Sequence, residues 1–149
     1  QRRWMLRLRT EDGRSVVTMK TPGEGHTRGE WEVESEYLDE ALPKLAALGA
    51  PQALTSLQPD MLAPICGASF TRITAELRLS DDTSCMICGD VGDLTGGENA
   101  ALLCELELEL KHGSEAELAA FARELMETYH LSEQPLSKLQ RARALAVAE

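Results

Sequence analysis

Aromatic residues are scarce in this chain, with 2 Trp, 2 Tyr and 2 Phe making up 4% of it. A core must therefore be built from Leu, Val, Ile, Ala and Met, and no aromatic-rich signal for base recognition is present. Long apolar runs are lacking as well. None approaches the ~18 residues of a membrane span, so no membrane partner is expected. Basic residues are outnumbered, 15 against 25 acidic ones, for a formal charge of −10. That balance argues against a general nucleic-acid binder, whose basic face has to attract phosphate backbones. It leaves a local cationic site open, because net charge is a sum over the whole surface. Cysteine is limited to Cys66, Cys85, Cys88 and Cys104. Cys85-Met86-Ile87-Cys88 has CxxC spacing, yet no second pair or nearby His completes a zinc set. The motif lies in a strand-like run rather than at a helix start, where redox CxxC motifs sit. Buried free thiols in a reducing cytoplasm are the expectation. The opening residues, Gln1-Arg2-Arg3-Trp4, run straight into a strand pattern with no apolar leader segment.

What the sequence does contain is alternation. A length of 149 residues suits one domain, and no boundary, repeat or low-complexity stretch interrupts it. Trp4 to Thr10 alternates apolar and polar residues, the period of a strand. Asp12-Gly13 then marks a two-residue hairpin turn into the returning strand Ser15 to Lys20. This register sets Arg9 opposite Val16, Arg7 opposite Thr18 and Leu6 opposite Met19. Arg7, Arg9, Thr18 and Lys20 then share one face, and Leu6, Leu8, Val17 and Met19 share the other. After a loop around Pro22-Gly23-Glu24-Gly25, Arg28 to Glu34 reads as a strand. Residues 38–58 have helical spacing (Leu38, Ala41, Leu42, Leu45, Leu48), broken at Gly49-Ala50-Pro51 and followed by a second short helix. A strand is expected over Phe70 to Leu79, then a turn at Ser80-Asp81-Asp82-Thr83 into a strand through Asp90, with a loop from Gly92 to Asn99. Cys104 to Lys111 is the strictest alternation in the chain. Ser114-Glu115-Ala116-Glu117 is a capping box, opening a helix with Leu118, Phe121, Ala122, Leu125 and Met126 on one side. A short element begins near Leu136 to Arg141.

Several strands thus carry one aliphatic face and one ionised face. By itself this fits an antiparallel sheet with one wet side. Like charges cluster along the chain, however: Arg7, Arg9 and Lys20 in one hairpin, and Glu105, Glu107 and Glu109 in one strand. Like-charged neighbours repel by roughly 0.2–1 kcal/mol per pair, a cost that a polyanion would relieve for the cations and a divalent metal for the carboxylates. His26, His112 and His130 fall at loop or element ends and read as surface residues; Trp31 and Phe121 read as core.

The ordered set Leu6-Arg7-Leu8-Arg9, Thr18-Met19-Lys20, Arg28-x-Glu30-x-Glu32, Phe70-x-Arg72, Asp90-x-Gly92, Glu105-x-Glu107-x-Glu109-x-Lys111 and Ser137-Lys138-x-x-Arg141 resembles the CYTH superfamily of triphosphate tunnel metalloenzymes. That superfamily includes thiamine triphosphatases, inorganic triphosphatases and class IV adenylate cyclases. The resemblance covers nearly the whole chain. It implies an α+β fold in which an antiparallel β-barrel forms a tunnel lined by charged side chains, with helices packed outside. It further implies that Arg7, Arg9, Lys20, Arg28, Arg72 and Lys138 grip a triphosphate. Asp90, Glu105, Glu107 and Glu109 would hold Mg²⁺ or Mn²⁺, and Lys20, Glu105 and Glu107 would serve catalysis. Arginine suits this role because its planar fork meets two phosphate oxygens at once. Arg78, Glu76 and Lys111 would support the lining without a direct role, and Arg141 is open between the site and a surface ion pair.

The family's Glu-x-Glu-x-Lys first strand is not in this chain, which is expected to begin just after it, and Ala142 stands where the family usually has Gly. The activity implied is metal-dependent hydrolysis of inorganic triphosphate or a small organic triphosphate. The alternatives are an adenylate cyclase of the same fold, a non-catalytic polyphosphate or nucleotide module, and a plain β-barrel scaffold.

Overall fold

The computed structural model describes residues 4–22 and 29–147, and the chain divides into two compact units, 1–63 and 64–149. Each holds one three-stranded antiparallel sheet, and among the described residues no closed barrel forms.

In the first unit, β1 (Met5–Glu11) turns at Asp12 and Gly13 into β2 (Arg14–Thr21), and β2 pairs in turn with β3 (Gly29–Glu34). Both turn residues have positive φ, 50° and 77°, as the two-residue hairpin requires. The register is Arg9 to Val16, Arg7 to Thr18 and Leu6 to Met19, so the cations and the aliphatic residues separate onto opposite faces as expected. The aliphatic face is buried apart from Leu8, which is half exposed. Val17 and Met19 pack with Ala41, Leu42, Leu45, Ala50 and Leu54, and Leu6, Trp31 and Val33 close the edges. Helix α1 (Leu38–Ala47) supplies Ala41, Leu42, Leu45 and Ala46 as one stripe, while Pro43 inside it faces solvent. Two 3₁₀ turns, Gln52–Ser56 and Pro59–Met61, stand where a second short helix was expected. Pro51 and Pro59 each fix φ and lack a donor, which breaks the stretch into single turns.

In the second unit, β4 (Cys66–Arg78), β5 (Ser84–Gly96) and β6 (Asn99–His112) are long hairpin-connected strands. The loop expected from Gly92 to Asn99 is instead the end of β5, a turn at Gly97-Glu98 and the start of β6. Its Gly and Asp content suggested a loop. Gly96 has a packing role in the strand: a Cβ there would lie 2.2 Å from the carbonyl oxygen of Ala142, so glycine lets the last helix press against the strand. That helix, α3 (Lys138–Leu145), packs Ala142 and Leu145 on Leu94, Leu103 and Cys66. Helix α2 (Glu115–Tyr129) runs beside β6. It starts at Ser114, whose hydroxyl accepts from the Glu117 amide, and ends at His130 with φ 55°. The Glu117 carboxylate takes the Ser80 hydroxyl, so no reciprocal capping bond is formed by that side chain. All four cysteines are free; Cys85 and Cys88 are buried, Cys66 half-buried, and Cys104 is exposed, contrary to the expectation for it.

The two sheets use their faces differently. In the first unit the ionised face is the open one, with Arg7 and Arg9 exposed. In the second unit the ionised face is covered at one end by α3, and Asp90 on it is fully buried. The aliphatic face there is partly open, with Ile73, Val91, Leu102 and Leu106 exposed.

Candidate functional site

Register places the charges of β4, β5 and β6 in rows. Arg72 lies opposite Asp90, which lies opposite Glu105, and Cys88 lies opposite Glu107. Because side chains two apart on a strand share a face, Phe70, Arg72, Asp90, Glu105 and Glu107 all project to one side. Ser137 and Gln140 form a reciprocal capping box that fixes the start of α3. Lys138 and Arg141, three residues apart on that helix, lie on one side of it and face the same sheet.

The result is a tight alternation of charge. Arg72 grips Asp90 with a two-pronged pair of hydrogen bonds, Nε to Oδ1 and Nη2 to Oδ2, each 2.7 Å. The same Nη2 also reaches Glu107 at 2.7 Å. Lys138 Nζ lies 2.8 Å from Asp90 Oδ2 and contacts Glu105 and Glu107 as well. Arg141 pairs with Glu105. The Phe70 ring flanks the cations, its centroid 5.6 Å from the Arg72 guanidinium carbon and 5.3 Å from Lys138 Nζ, within cation–π range.

Burial makes these pairings matter. The Arg72 hydrogen bond holds the Asp90 carboxyl at about 2, outweighing a desolvation that pushes the other way, with Lys138 adding to the effect. Burial disfavours the Lys138 ammonium, but Asp90, Glu105 and Glu107 more than offset it and push its pKa up. Burial likewise raises Glu105, and Lys138 and Arg141 reverse this to a net lowering. Arg72 is raised chiefly by its bond to Asp90. Asp90, Glu105, Arg72 and Lys138 are therefore ionised at neutral pH.

One oxygen from each of Asp90, Glu105 and Glu107 lies within 4.8 Å of the others. Three carboxylates so placed are hard oxygen donors of the kind that hold Mg²⁺, Mn²⁺ or Ca²⁺, and an ammonium already stands among them as a cation. The residues fit a divalent ion. Glu109, on the same face two residues further along β6, is exposed, is paired with Lys111 at 3.4 Å and stands outside this group.

The remaining expected site residues are in the first unit. Lys20 pairs with Glu30 at 2.7 Å. Thr18, fully buried, donates to Glu32 at 3.0 Å. Arg9 pairs with Glu11. Arg7 makes no ion pair with the described residues, and Arg28 lies outside them. Some of these charges meet opposite charges across strands, as Lys20 meets Glu30 and Arg72 meets Asp90 and Glu107, whereas Arg9 pairs along its own strand and Glu105 is paired by Lys138 and Arg141 of α3.

Phe70 and Arg141 were not assigned by sequence. Phe70 sits two residues from Arg72 on one strand face, and Arg141 three from Lys138 on one helix face. Those spacings were the available signals.

Asp90, Glu105 and Glu107, interleaved with Arg72 of the sheet and with Lys138 and Arg141 of α3, form an acidic cluster that could hold a metal ion. The family comparison agrees: the model of the CYTH domain matches residues 1–142, and the chain belongs to the CYTH family. Members of this family are generally divalent-metal-dependent enzymes acting on triphosphates.

Proposed function

We propose that this protein hydrolyses the terminal phosphoanhydride of inorganic triphosphate or a small organic triphosphate, using Mg²⁺ or Mn²⁺. The observation that carries this reading is the Asp90, Glu105 and Glu107 cluster interleaved with Arg72 and Lys138, in a chain matched to the CYTH domain over residues 1–142. A single CYTH domain that spans both units is part of the proposal. The family match across the boundary at residue 63 supports it.

Asp90, Glu105 and Glu107 would hold the ion, with Glu109 as an outer member. The ion, when bound, supplies a Lewis acid for the phosphate oxygens and the attacking water. Arg7, Arg9, Arg28, Arg72 and Lys138 would fix the triphosphate so that water can approach in line with the scissile bond. Water oxygen bonds to the terminal phosphorus, the bond to the bridging oxygen breaks, and the leaving diphosphate or organic diphosphate takes the electron pair. Lys20 would face the charge that spreads over the transferred phosphoryl group. Fixed cations of this kind are the main catalytic device in phosphoryl transfer.

Incubating the protein with Mg²⁺ or Mn²⁺ and inorganic triphosphate, thiamine triphosphate or ATP should release phosphate from at least one of them. Cyclic AMP from ATP as the only product would establish the cyclase instead. Tight triphosphate binding without turnover would leave a binding module.

A further inference from the structure

Lys138 occupies the middle of the acidic trio. Its ammonium is 2.8 Å from Asp90 Oδ2 and also contacts Glu105 Oε1 and Glu107 Oε1, and its side chain is 18% exposed. A divalent ion using the same three carboxylates needs the place that the ammonium fills, because the three donor atoms lie within 4.8 Å of one another. Two cations cannot share it.

Charge counting sharpens the point. Arg72, Lys138 and Arg141 balance Asp90, Glu105 and Glu107, three against three, so the cluster as it stands has no net attraction for an anion. Placing a divalent ion there while the same side chains stay leaves the group positive by two, the sign that a triphosphate requires.

Lys138 is also placed to change partners. It is the first residue of α3, whose start is held by the Ser137–Gln140 capping box and whose body is anchored by Ala142 against Leu94 and Leu103. Its four-carbon stem can therefore move the ammonium while the helix stays docked. The Phe70 ring, 5.3 Å from the nitrogen, borders that movement on one side.

We propose that Lys138 is an internal counter-cation that competes with the divalent ion for the Asp90–Glu105–Glu107 seat, and that entry of the ion turns the lysine over to the triphosphate. This rests on the triphosphatase reading for the identity of the anion. Metal and triphosphate then bind with positive coupling, and one side chain carries it. Removing that side chain should move the two affinities in opposite directions.

The test is Mn²⁺ binding to the whole chain, followed by the free-ion electron paramagnetic resonance signal, with no turnover involved. Lys138→Met should bind Mn²⁺ about tenfold or more tighter than the unsubstituted protein. At saturating Mn²⁺ the same variant should bind the non-hydrolysable diimidotriphosphate about tenfold or more weaker by calorimetry. Arg141→Gln, which removes a cation paired with Glu105 alone, should tighten Mn²⁺ binding much less. Lys138→Arg should restore weak Mn²⁺ binding, and far-ultraviolet circular dichroism checks that each variant is folded. Should Lys138→Met not fold, Lys138→Gln serves in its place. Equal Mn²⁺ affinity in Lys138→Met and the unsubstituted protein overturns the competition while leaving the metal site in place. An equal gain in Arg141→Gln also overturns it, since any nearby cation would then act through its field. Absence of Mn²⁺ binding in every variant removes the metal reading and the competition with it.

Discussion

Asp90 is fully buried and charged, a combination that burial alone would forbid. Arg72 and Lys138 make it possible by holding its carboxyl at about 2, below the ordinary 3.8. A carboxyl depressed in the folded state stabilises above its unfolded value, and that contribution is lost as pH falls through the folded one. For Asp90 the contribution is about 2 kcal/mol, present above pH ~4 and lost towards pH ~2. Urea unfolding of metal-free protein at pH 5 and pH 2.5 should show a smaller drop in midpoint for Asp90→Asn than for the unsubstituted chain. Identical drops would remove Asp90 as the group responsible. Gly92 acts at the same scale through space. A Cβ there would lie 2.1 Å from the Ser69 carbonyl oxygen and 2.6 Å from Phe70 Cα, so β4 could not close on β5 beside the ring that flanks both cations. Gly92→Ala should cost about 1–3 kcal/mol in thermal unfolding. Gly89→Ala, whose Cβ meets only Leu106 Cδ2 at 3.6 Å, should be much milder and serves as the control.

Among the elements, α3 does most for the site with least length. Eight residues deliver Lys138 and Arg141 to the carboxylates, and they hold position through one capping box, the packing of Ala142 and Leu145 on Leu94 and Leu103, and the Asn99 amide that donates to the Leu145 carbonyl. Such a short helix is marginal without those supports. Ser137→Ala should therefore lose about 1 kcal/mol of stability. It should also weaken triphosphate binding severalfold although Ser137 pairs with no charged group of the cluster, a loss that calorimetry would detect. Unchanged binding would mean that α3 docks through its apolar side alone. The β5–β6 hairpin is the other working element, because its register alone puts Asp90 beside Glu105. A one-residue slip would send every carboxylate to the opposite face. The alternation Glu105-x-Glu107-x-Glu109 is visible in the sequence, but its partner strand was read as ending at Asp90. Local glycine and aspartate masked a strand that is stabilised by pairing on both sides.

At the scale of the whole chain, two arginines that the sequence treats alike separate. Arg7 in the first unit is exposed and without an ion pair among the described residues, whereas Arg72 in the second is locked onto buried Asp90. Arg7→Ala should leave stability within about 0.5 kcal/mol. Arg72→Ala should lose about 2–4 kcal/mol, because it removes the two-pronged partner of a buried carboxylate and leaves Lys138 as its remaining counter-charge. On the proposed function both variants bind triphosphate more weakly, and calorimetry beside urea unfolding tests the pair. Loss of binding in Arg72→Ala alone would end the proposal that residues of both units bind the triphosphate. Among the described residues no helix is long and apolar enough to cross a membrane.

The sequence by itself determined the first hairpin with its Asp12-Gly13 turn, the central parts of the later strands, the separation of ionised from aliphatic faces and the identity of the charged residues. Each of these depends on neighbours within a few positions, where period and turn chemistry act. Tertiary structure alone decided which face is covered and which cation meets which carboxylate. It put the first unit's aliphatic face under α1, left Ile73, Val91, Leu102 and Leu106 of the second open, and placed Lys138 among acids from strands more than thirty residues away. An ion pair forms wherever two charges meet after desolvation, and no local pattern records that meeting, because it depends on strand register and on where a later helix comes to rest.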